Sequence, residues 1–228
     1  MLEAYLSSGH RRIVQIGAND GAINDPIYEY VMRHHRSNHI LLIEPQENVI
    51  AALENNYKDH QNATILKVAI GASPYLKLYR LRPKFYDLFE RKYLQSAPSY
   101  RVPTGFTSSI KQHVVSHISG NLPRNFNLED AIEEINVECV SLLGALRAAD
   151  WAHDQIDILQ IDAEGSDYEV LLSCNLDMTK PSLINFEHFH LSASDYRQAK
   201  ELLLKLGYQI YSYSNTDTLA TTLKFRNV

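Results

Sequence analysis

Hydrophobic residues in this chain follow two spacings that alternate along its length. Short apolar runs of strand length are followed by segments in which apolar residues recur every three or four positions, as on one face of a helix. This alternation predicts an α/β protein with a mostly parallel sheet that is covered by helices on both faces. The runs with strand character are residues 11–17, 39–45, 63–71, 75–81, 135–140, 155–162, 182–189, 208–214 and 218–225.

The helical segments between these runs carry start and stop signals. Apolar residues from Ile23 to His34 predict a first helix, with Asn24 or Asp25 as its cap and Pro26 in its first turn. Gly207 marks the end of the last predicted helix, which begins at residue 194. Three further helices are predicted after residue 45, over 141–149 and over about 166–173. The two strands after Gly207 predict an antiparallel hairpin at the edge of the sheet.

Residues 83–127 interrupt this regular pattern. The segment mixes aromatic and charged residues with Pro and Gly, and it contains no repeat or low-complexity tract. We interpret it as an insertion within a single domain of residues 1–228, and we predict that it forms a lid over the substrate. Its aromatic residues fit an acceptor pocket and the small core that any insertion needs equally well. They are Tyr86, Phe89, Tyr93, Tyr100 and Phe106.

Composition and charge narrow the classes of function. The 228 residues are 45% apolar and 21% charged, which is ordinary for one globular core. A net charge of -5 gives no electrostatic reason to expect nucleic acid or an anionic membrane as a partner, so we expect a small-molecule substrate.

Cys139 and Cys174 stand far apart and indicate neither a disulfide framework nor a zinc site. Because no apolar run has the length of a signal core or a membrane span, we expect a cytoplasmic protein. The oligomeric state stays open.

The loop after the first strand, Gly17-Ala-Asn-Asp-Gly21, indicates a ligand at the end of the sheet. Its two glycines allow positive φ and a close approach of backbone to a ligand. The third glycine of a dinucleotide fingerprint is missing, which argues against a pyrophosphate cradle. Glu44, at the end of the second strand, is an acid of the kind that accepts hydrogen bonds from ribose hydroxyls. A nucleoside without a pyrophosphate suggests S-adenosylmethionine as the cofactor.

Several motifs together resemble one family. "VQIGANDG", "LLIEPQENVIAALENN", "KVAIG", "VECVSLLGAL", "IDILQIDAEGSDYEVL" and "LINFEHFH" occur in the order and spacing of the FkbM-type methyltransferases. The resemblance implies a class I, Rossmann-like methyltransferase fold that binds S-adenosylmethionine. It also implies roles in cofactor binding. The methionine part would be surrounded by Gly17, Ala18, Asn19 and Gly21. Glu44 would bind the ribose, Pro45 would border the adenosine, and Ala69 and Ile70 would lie beside the adenine. Ser108 and Asp162 would lie near the site.

Two positions depart from the family pattern. Gln15 stands where the family usually has Asp, although its amide oxygen can still accept a hydrogen bond from the methionine ammonium. Gln160 replaces the common Lys two residues before Asp162. These departures keep open a catalytically silent module that binds a nucleoside. A nicotinamide-dependent oxidoreductase on a related fold is the other alternative to a methyltransferase.

Methyl transfer from a sulfonium needs an oriented acceptor and a group that removes its proton. The segments "DAEG" and "EHFH" end two strands that we expect to be neighbours, which would gather Asp162, Glu164, Glu187, His188 and His190 near the methyl group. One hypothesis assigns Asp162, Glu187 and His188 to Mg²⁺ or Mn²⁺, as in metal-assisted O-methyltransferases. The other makes His188 or His190 the general base.

Two further histidines are spaced like metal ligands. His113 and His117 lie one helical turn apart in "HVVSH", but no third ligand is near them in sequence, so a solvated helix face is the favoured interpretation.

The sequence as a whole predicts an S-adenosylmethionine-dependent methyltransferase. We expect it to act on an oxygen atom of a small hydroxylated molecule such as a sugar or a natural product.

Overall fold

A computed structural model gives the architecture of the chain and describes residues 5, 9–93, 103–120, 126–212 and 214–224. The strands are β1 (Arg12–Ile16), β2 (His39–Ile43), β3 (Ala63–Leu66), β4 (Ala69–Ile70), β5 (Tyr75–Leu81), β6 (Ile132–Val140), β7 (Ile158–Ile161), β8 (Leu183–Glu187), β9 (Gln209–Ser212) and β10 (Asp217–Thr221). The α-helices are α1 (Tyr28–Arg33), α2 (Glu47–Asn56), α3 (Tyr86–Tyr93), α4 (Lys111–Ser119), α5 (Leu128–Ala131), α6 (Leu142–Ala148), α7 (Asp167–Ser173), α8 (Leu176–Thr179) and α9 (Ala193–Lys205).

Seven strands form the central sheet in the order β3-β2-β1-β7-β8-β10-β9. The pairs from β3 to β8 are parallel, and β10 runs antiparallel to both of its neighbours. The α/β fold and the terminal hairpin predicted from the sequence are therefore confirmed. Strand order reverses between β1 and β7, and open sheets of this kind bind ligands beyond the carboxyl ends of the strands at such a point.

Both faces of the sheet are buried, and this explains why its central strands are apolar without alternation. Val14 and Ile16 of β1 pack in one cluster, while Ile13 packs in a second cluster on the opposite face. Neighbouring strands divide their side chains between the faces in the same way. The sheet therefore holds the ends of β1 and β7 rigidly against each other.

The third predicted strand is divided between two sheets. Residues 63–71 were predicted as one strand, but β3 ends at Leu66 in the central sheet and β4 pairs with Cys139 and Val140 of β6. On the β2 side, the N–H groups of Ile40 and Glu44 donate toward the β3 strand, so the N–H of Gln46 would be the next donor in the ladder. It donates instead to the carboxylate of Glu44, and parallel pairing stops there. β4, β6 and β5 form a separate sheet of three strands.

Most predicted helices are present, with one correction to the first. Ser141 caps α6, because its hydroxyl accepts a hydrogen bond from the N–H of Gly144 at 3.1 Å. α1 is shorter than predicted and begins at Tyr28, since Oδ1 of Asp25 accepts from the N–H groups of Ile27 and Tyr28 at 2.9 and 2.7 Å. Ile23 lies outside the helix and is exposed.

The described part of residues 83–127 packs in a small core that it shares with Leu81 of β5 and Ile132 of β6. Phe89 and Phe106 pack edge to face in it, with ring centroids 5.8 Å apart, beside Val114 and Ile118 of α4. These two aromatic residues therefore serve this core. Tyr100 lies outside the described residues.

None of the helices in the described part of the chain has the length and apolar character needed to cross a membrane.

The ends of β1 and β7 approach so closely that only glycine fits between them. Gly17 has a φ of +79°, and a Cβ atom at this position would lie 1.8 Å from the carbonyl oxygen of Asp162. A side chain here would meet both a steric clash with backbone and the cost of positive φ.

We predict that Gly17→Ala lowers the free energy of unfolding by about 2–5 kcal/mol, the sum of these two costs. Thermal denaturation of the purified variant measures the effect. Gly120→Ala is the matched control, because nothing lies within 4 Å of a Cβ atom there and its φ is -71°. Equal melting temperatures for Gly17→Ala and the wild type would contradict this prediction.

Candidate functional site

A cavity of about 500 Å³ lies at the carboxyl ends of β1, β2 and β7. This volume is typical of a site for a small molecule. One wall is apolar and is formed by Ile43, Val68, Ile70 and Leu78. Polar and charged side chains also line the cavity, among them Asn19, Glu44, Gln46, Asp162, Glu164 and Glu169.

The loop after β1 is held by the neighbouring strand. The N–H groups of Gly17 and Ala18 donate to the carbonyl oxygen of Ile43 at 2.9 and 3.2 Å. Gly17 and Asn19 line the cavity, whereas Ala18 is completely buried in the core. Gly21 is also away from the cavity, since a Cβ atom there would lie 2.5 Å from the side chain of Leu53. The structure thus places two of the four predicted loop residues at the site, and the other two shape the turn.

Glu44 lies on the cavity wall in a fixed orientation. It is buried, and its two carboxylate oxygens accept hydrogen bonds from the N–H groups of Asn19 and Gln46, each at 2.8 Å. An ionised carboxylate is an acceptor only and can accept several hydrogen bonds, which suits a contact to ligand hydroxyls. This is the position that the sequence predicted for a ribose contact.

The predicted adenosine residues also reach the cavity. Pro45, Ala69 and Ile70 all line it, next to the apolar wall. Gln46 was missed by the sequence reasoning, although it follows Pro45 directly. Its side-chain oxygen accepts from the hydroxyl of Thr107 at 2.6 Å, and this bond ties the 83–127 segment to the end of β2.

A second bond links the same segment to the loop after β1. The hydroxyl of Thr104 donates to Oδ1 of Asn19 at 3.0 Å. Thr104 and Thr107 both line the cavity, so residues of the insertion form part of its wall. The lid role stays a prediction.

Two predicted residues, Gln15 and Ser108, are not part of the cavity lining, and neither is Gln160, which departs from the family pattern. Gln15 is buried, and its amide nitrogen donates to the carboxylate of Asp25. Its amide oxygen has no hydrogen-bond partner among the residues that the structure describes, so the contact to the methionine ammonium stays a prediction. Ser108 donates to the backbone oxygen of Glu164 at 2.7 Å and thereby positions that residue. Gln160 accepts from the side chain of Asn185 at 2.9 Å inside the sheet.

Acidic and imidazole groups meet where β7 and β8 end. Asp162 and Glu164 follow β7 and line the cavity. A ligand atom each of Glu164, Glu187 and His190 lies within 4.8 Å of the other two. Nε2 of His190 is 3.7 Å from Oε2 of Glu164. The sequence expectation that "DAEG" and "EHFH" converge is therefore confirmed for these residues.

His188 is the exception among the predicted catalytic and metal-binding residues. Its Nδ1 is hydrogen bonded to the hydroxyl of Thr218 at 3.0 Å, and its ring stacks on Tyr196 with centroids 4.5 Å apart. Successive residues along an extended chain point to opposite sides. Glu187 and His188 therefore diverge. The structure brings Glu187 together with Glu164 and His190, and not with His188 as the predicted set of Asp162, Glu187 and His188 requires.

His190 is surrounded by other imidazoles. The rings of His113 and His117 lie 5.2 and 5.3 Å from its ring. Burial, followed by the proximity of His117 and His113, lowers the pKa of His190 to about 4. The ring is therefore neutral near pH 7 and offers a lone pair. The sequence could not indicate this contact, because His113 and His117 belong to the insertion.

Asp167 is completely buried beneath the same strand ends. Its Oδ1 accepts from the N–H groups of Ala163 and Glu187 at 3.4 and 3.3 Å. Burial, and then the charge of Asp162, raise the pKa of this carboxyl to about 8. Asp167 therefore carries a proton at neutral pH and connects the two loops without adding charge.

A comparison with protein families identifies the family of the chain. The model of the methyltransferase FkbM domain matches residues 15–210. That range begins near the end of β1 and includes the residues that line the cavity and the ends of β7 and β8. The chain belongs to this family, and it is an S-adenosylmethionine-dependent methyltransferase. Family membership favours this activity over the nicotinamide-dependent alternative.

Solved structures of other methyltransferases resemble the chain at low identity. A precorrin-6y C5,15-methyltransferase from Geobacter metallireducens is 11% identical, with a TM-score of 0.43 over 96% of this chain and 87% of its own. A ribosomal protein L11 methylase from Lactobacillus delbrueckii is 8% identical, with a TM-score of 0.42 over 98% and 76%. A fibrillarin from Aeropyrum pernix with bound S-adenosyl-L-methionine is 11% identical, with a TM-score of 0.42 over 92% and 66%. No curated protein sequence matches the chain.

The raised pKa of Asp167 predicts a pH-dependent stability. Between its ordinary value of 3.8 and about 8, the unfolded chain releases a proton that the folded chain retains. The contribution of this carboxyl to stability is therefore fully present below pH 4 and falls as the pH rises toward 8.

Asp167→Asn removes this titration, so its stability relative to the wild type should rise by at least about 1 kcal/mol between pH 5 and pH 8. For a chain of this size, the gain corresponds to roughly 2–4 °C in melting temperature. Asp177→Asn on α8, where the side chain is exposed, is the control. A difference between Asp167→Asn and the wild type that does not change with pH would refute the assignment.

Proposed function

We propose that this FkbM-family methyltransferase transfers the methyl group of S-adenosylmethionine to an oxygen atom of a small hydroxylated molecule, such as a sugar or a natural product. The observation that carries the proposal is the position of Glu164. It lines the same cavity as the residues suited to adenosine, and it lies beside Glu187 and His190, which are outside the cavity lining. The cavity fits the cofactor, and the group around Glu164, which we call the acceptor edge, fits an acceptor that must lose a proton.

The cofactor would lie along the carboxyl ends of β1, β2 and β4. Glu44 would accept hydrogen bonds from the ribose hydroxyls, because its carboxylate is held in place by two backbone N–H groups. The apolar wall beside Ala69 and Ile70 would cover the adenine. The methionine part would then extend over Gly17 toward Asp162, which brings the methyl group toward the acceptor edge.

The chemistry at that edge is an in-line displacement. A bond forms between the acceptor oxygen and the methyl carbon while the carbon–sulfur bond breaks, and the hydroxyl proton must leave. His190 is neutral near pH 7 and lies beside Glu164, which lines the cavity. The group is placed to receive that proton directly or to act with a bound ion.

Charge at the edge also favours a class of acceptor. Asp162, Glu164 and Glu187 are three carboxyl groups near one crevice, and they disfavour an acceptor that carries its own carboxylate or phosphate. A neutral hydroxylated molecule avoids this repulsion.

We also propose that the protein is cytoplasmic. The two cysteines are buried free thiols that fit a reducing compartment.

The role of Glu44 predicts a loss of cofactor affinity. Glu44→Gln should weaken binding of S-adenosylhomocysteine by about 1–3 kcal/mol, because a charged acceptor for the ribose hydroxyls is lost. Isothermal titration measures this change. Glu47→Gln in the first turn of α2 is the matched control, since this carboxylate is exposed and pairs with Lys67.

A thermal-shift comparison tests the cofactor class in the same samples. S-adenosylhomocysteine should raise the melting temperature of the wild type and NADH should not, because only a ligand of the native state stabilises it. Unchanged affinity in Glu44→Gln would mean that the ribose is held elsewhere. Stabilisation by NADH alone would refute the cofactor assignment.

The role of His190 predicts a loss of rate without a loss of cofactor. His190→Ala should lower methyl transfer by about 10²- to 10⁴-fold, as expected for a group that acts on the transferred proton. Transfer from radiolabelled S-adenosylmethionine to panels of sugars, phenols and amines measures the rate. The titration with S-adenosylhomocysteine should remain unchanged.

His153→Ala is the control for this variant, because His153 is exposed in a turn before β7. Transfer to amines alone would contradict the oxygen acceptor. Full activity in His190→Ala would contradict the placement of the acceptor. Cofactor binding with no transfer to any member of the panels would favour the catalytically silent module.

A further inference from the structure

We propose that Glu164, Glu187 and His190 form a binding site for one divalent transition-metal ion at the edge of the cofactor cavity. The site uses one carboxylate from the turn after β7, one from the end of β8 and an imidazole three residues later. It differs from the set that the sequence suggested, because His190 replaces His188 and Glu164 replaces Asp162.

The spacing of the three groups fits a common ion. Their ligand atoms lie within 4.8 Å of one another, and the pair formed by His190 and Glu164 is 3.7 Å apart. Oxygen and nitrogen ligands at about 2.0–2.2 Å from an ion are separated from each other by roughly 3.0–4.4 Å. Small side-chain rotations therefore bring all three groups to one ion.

The backbone around the site is fixed before any ion binds. Glu164 and Gly165 have left-handed φ values of +48° and +97°, which turn the chain sharply after β7. The hydroxyl of Ser108 donates to the backbone oxygen of Glu164, and Asp167 accepts from the N–H of Glu187. A preorganised site of this kind loses little conformational freedom when it binds a ligand.

A second and independent observation comes from α4. His113 packs against Gly165. A Cβ atom added to Gly165 would lie 2.8 Å from Nδ1 of His113. This Nδ1 is buried and has no hydrogen-bond partner among the residues that the structure describes. A buried polar atom without a partner is costly, and a bound ion or an ion-bound water beside His190 would satisfy it.

The mixture of ligands selects the class of ion. Mg²⁺ prefers an all-oxygen shell with several waters, whereas Mn²⁺, Fe²⁺, Co²⁺ and Zn²⁺ accept two carboxylates with one imidazole. We therefore assign the site to this second group. An ion here would bind the acceptor oxygen, lower the pKa of its hydroxyl and release the proton to water. This role rests on the proposed function, while the binding of the ion does not.

The test measures binding of Mn²⁺ alone to chelator-treated, dialysed protein, by titration calorimetry and by electron paramagnetic resonance. One site per chain is expected. Changes in the outer shell of a metal site cost about 10- to 100-fold in affinity, so loss of a ligand in Glu187→Gln or His190→Ala should cost at least about 100-fold. Glu164→Gln should behave in the same way.

His188→Ala is the matched control for Mn²⁺ binding, since His188 lies two residues away and stacks on Tyr196. Its affinity for Mn²⁺ should equal that of the wild type. Binding of S-adenosylhomocysteine verifies that each variant is folded. A wild type that binds S-adenosylhomocysteine and no Mn²⁺ would overturn the metal site, as would equal losses in His188→Ala and His190→Ala.

The metal site and the proposed function fail in different ways. Methyl transfer to a hydroxyl acceptor that persists at full rate in excess chelator would overturn the metal site and leave the methyl transfer standing. A wild type that binds one Mn²⁺ ion through the three ligands and methylates only amines would overturn the oxygen acceptor and leave the metal site standing.

Discussion

The close approach of the β1 and β7 strand ends is the constraint on which the rest of the site depends. Gly17 lies directly over the carbonyl oxygen of Asp162, and its N–H donates to Ile43 at the end of β2. Three parallel strands are thereby joined at their carboxyl ends by backbone contacts. The cavity lies directly beyond this contact, where the loops after β1, β2 and β7 leave the sheet.

The orientation of side chains along β8 decides which residues reach the cavity. Glu187 and His188 are neighbours in sequence, but they point to opposite sides of the sheet. Glu187 joins Glu164 and His190, whereas His188 packs against Tyr196 of α9. A histidine two positions further along the turn therefore takes the place at the acceptor edge.

The insertion, residues 83–127, contributes to the site through contacts that could not be predicted from its sequence. Thr104 and Thr107 bond to side chains at the ends of β1 and β2, and Ser108 bonds to the turn after β7. His113 brings an imidazole to His190 across the same turn. The described part of residues 83–127 thus connects three strand ends through side-chain hydrogen bonds, and Phe89 and Phe106 anchor it in a small core.

The sequence by itself determined the α/β fold and the positions of Gly17 and Glu44 at the site, because strand runs, turn glycines and strand-end acids are local signals. The family and the positions of Asn19 and Ile70 came from the resemblance of several motifs to the FkbM-type methyltransferases. The sequence did not determine which side chains face the cavity. The burial of Gln15 against Asp25, the split of residues 63–71 and the choice of His190 over His188 follow from strand direction and pairing. The meeting of His113 with His190 requires two elements far apart in sequence to pack together, and only the tertiary structure specifies that contact.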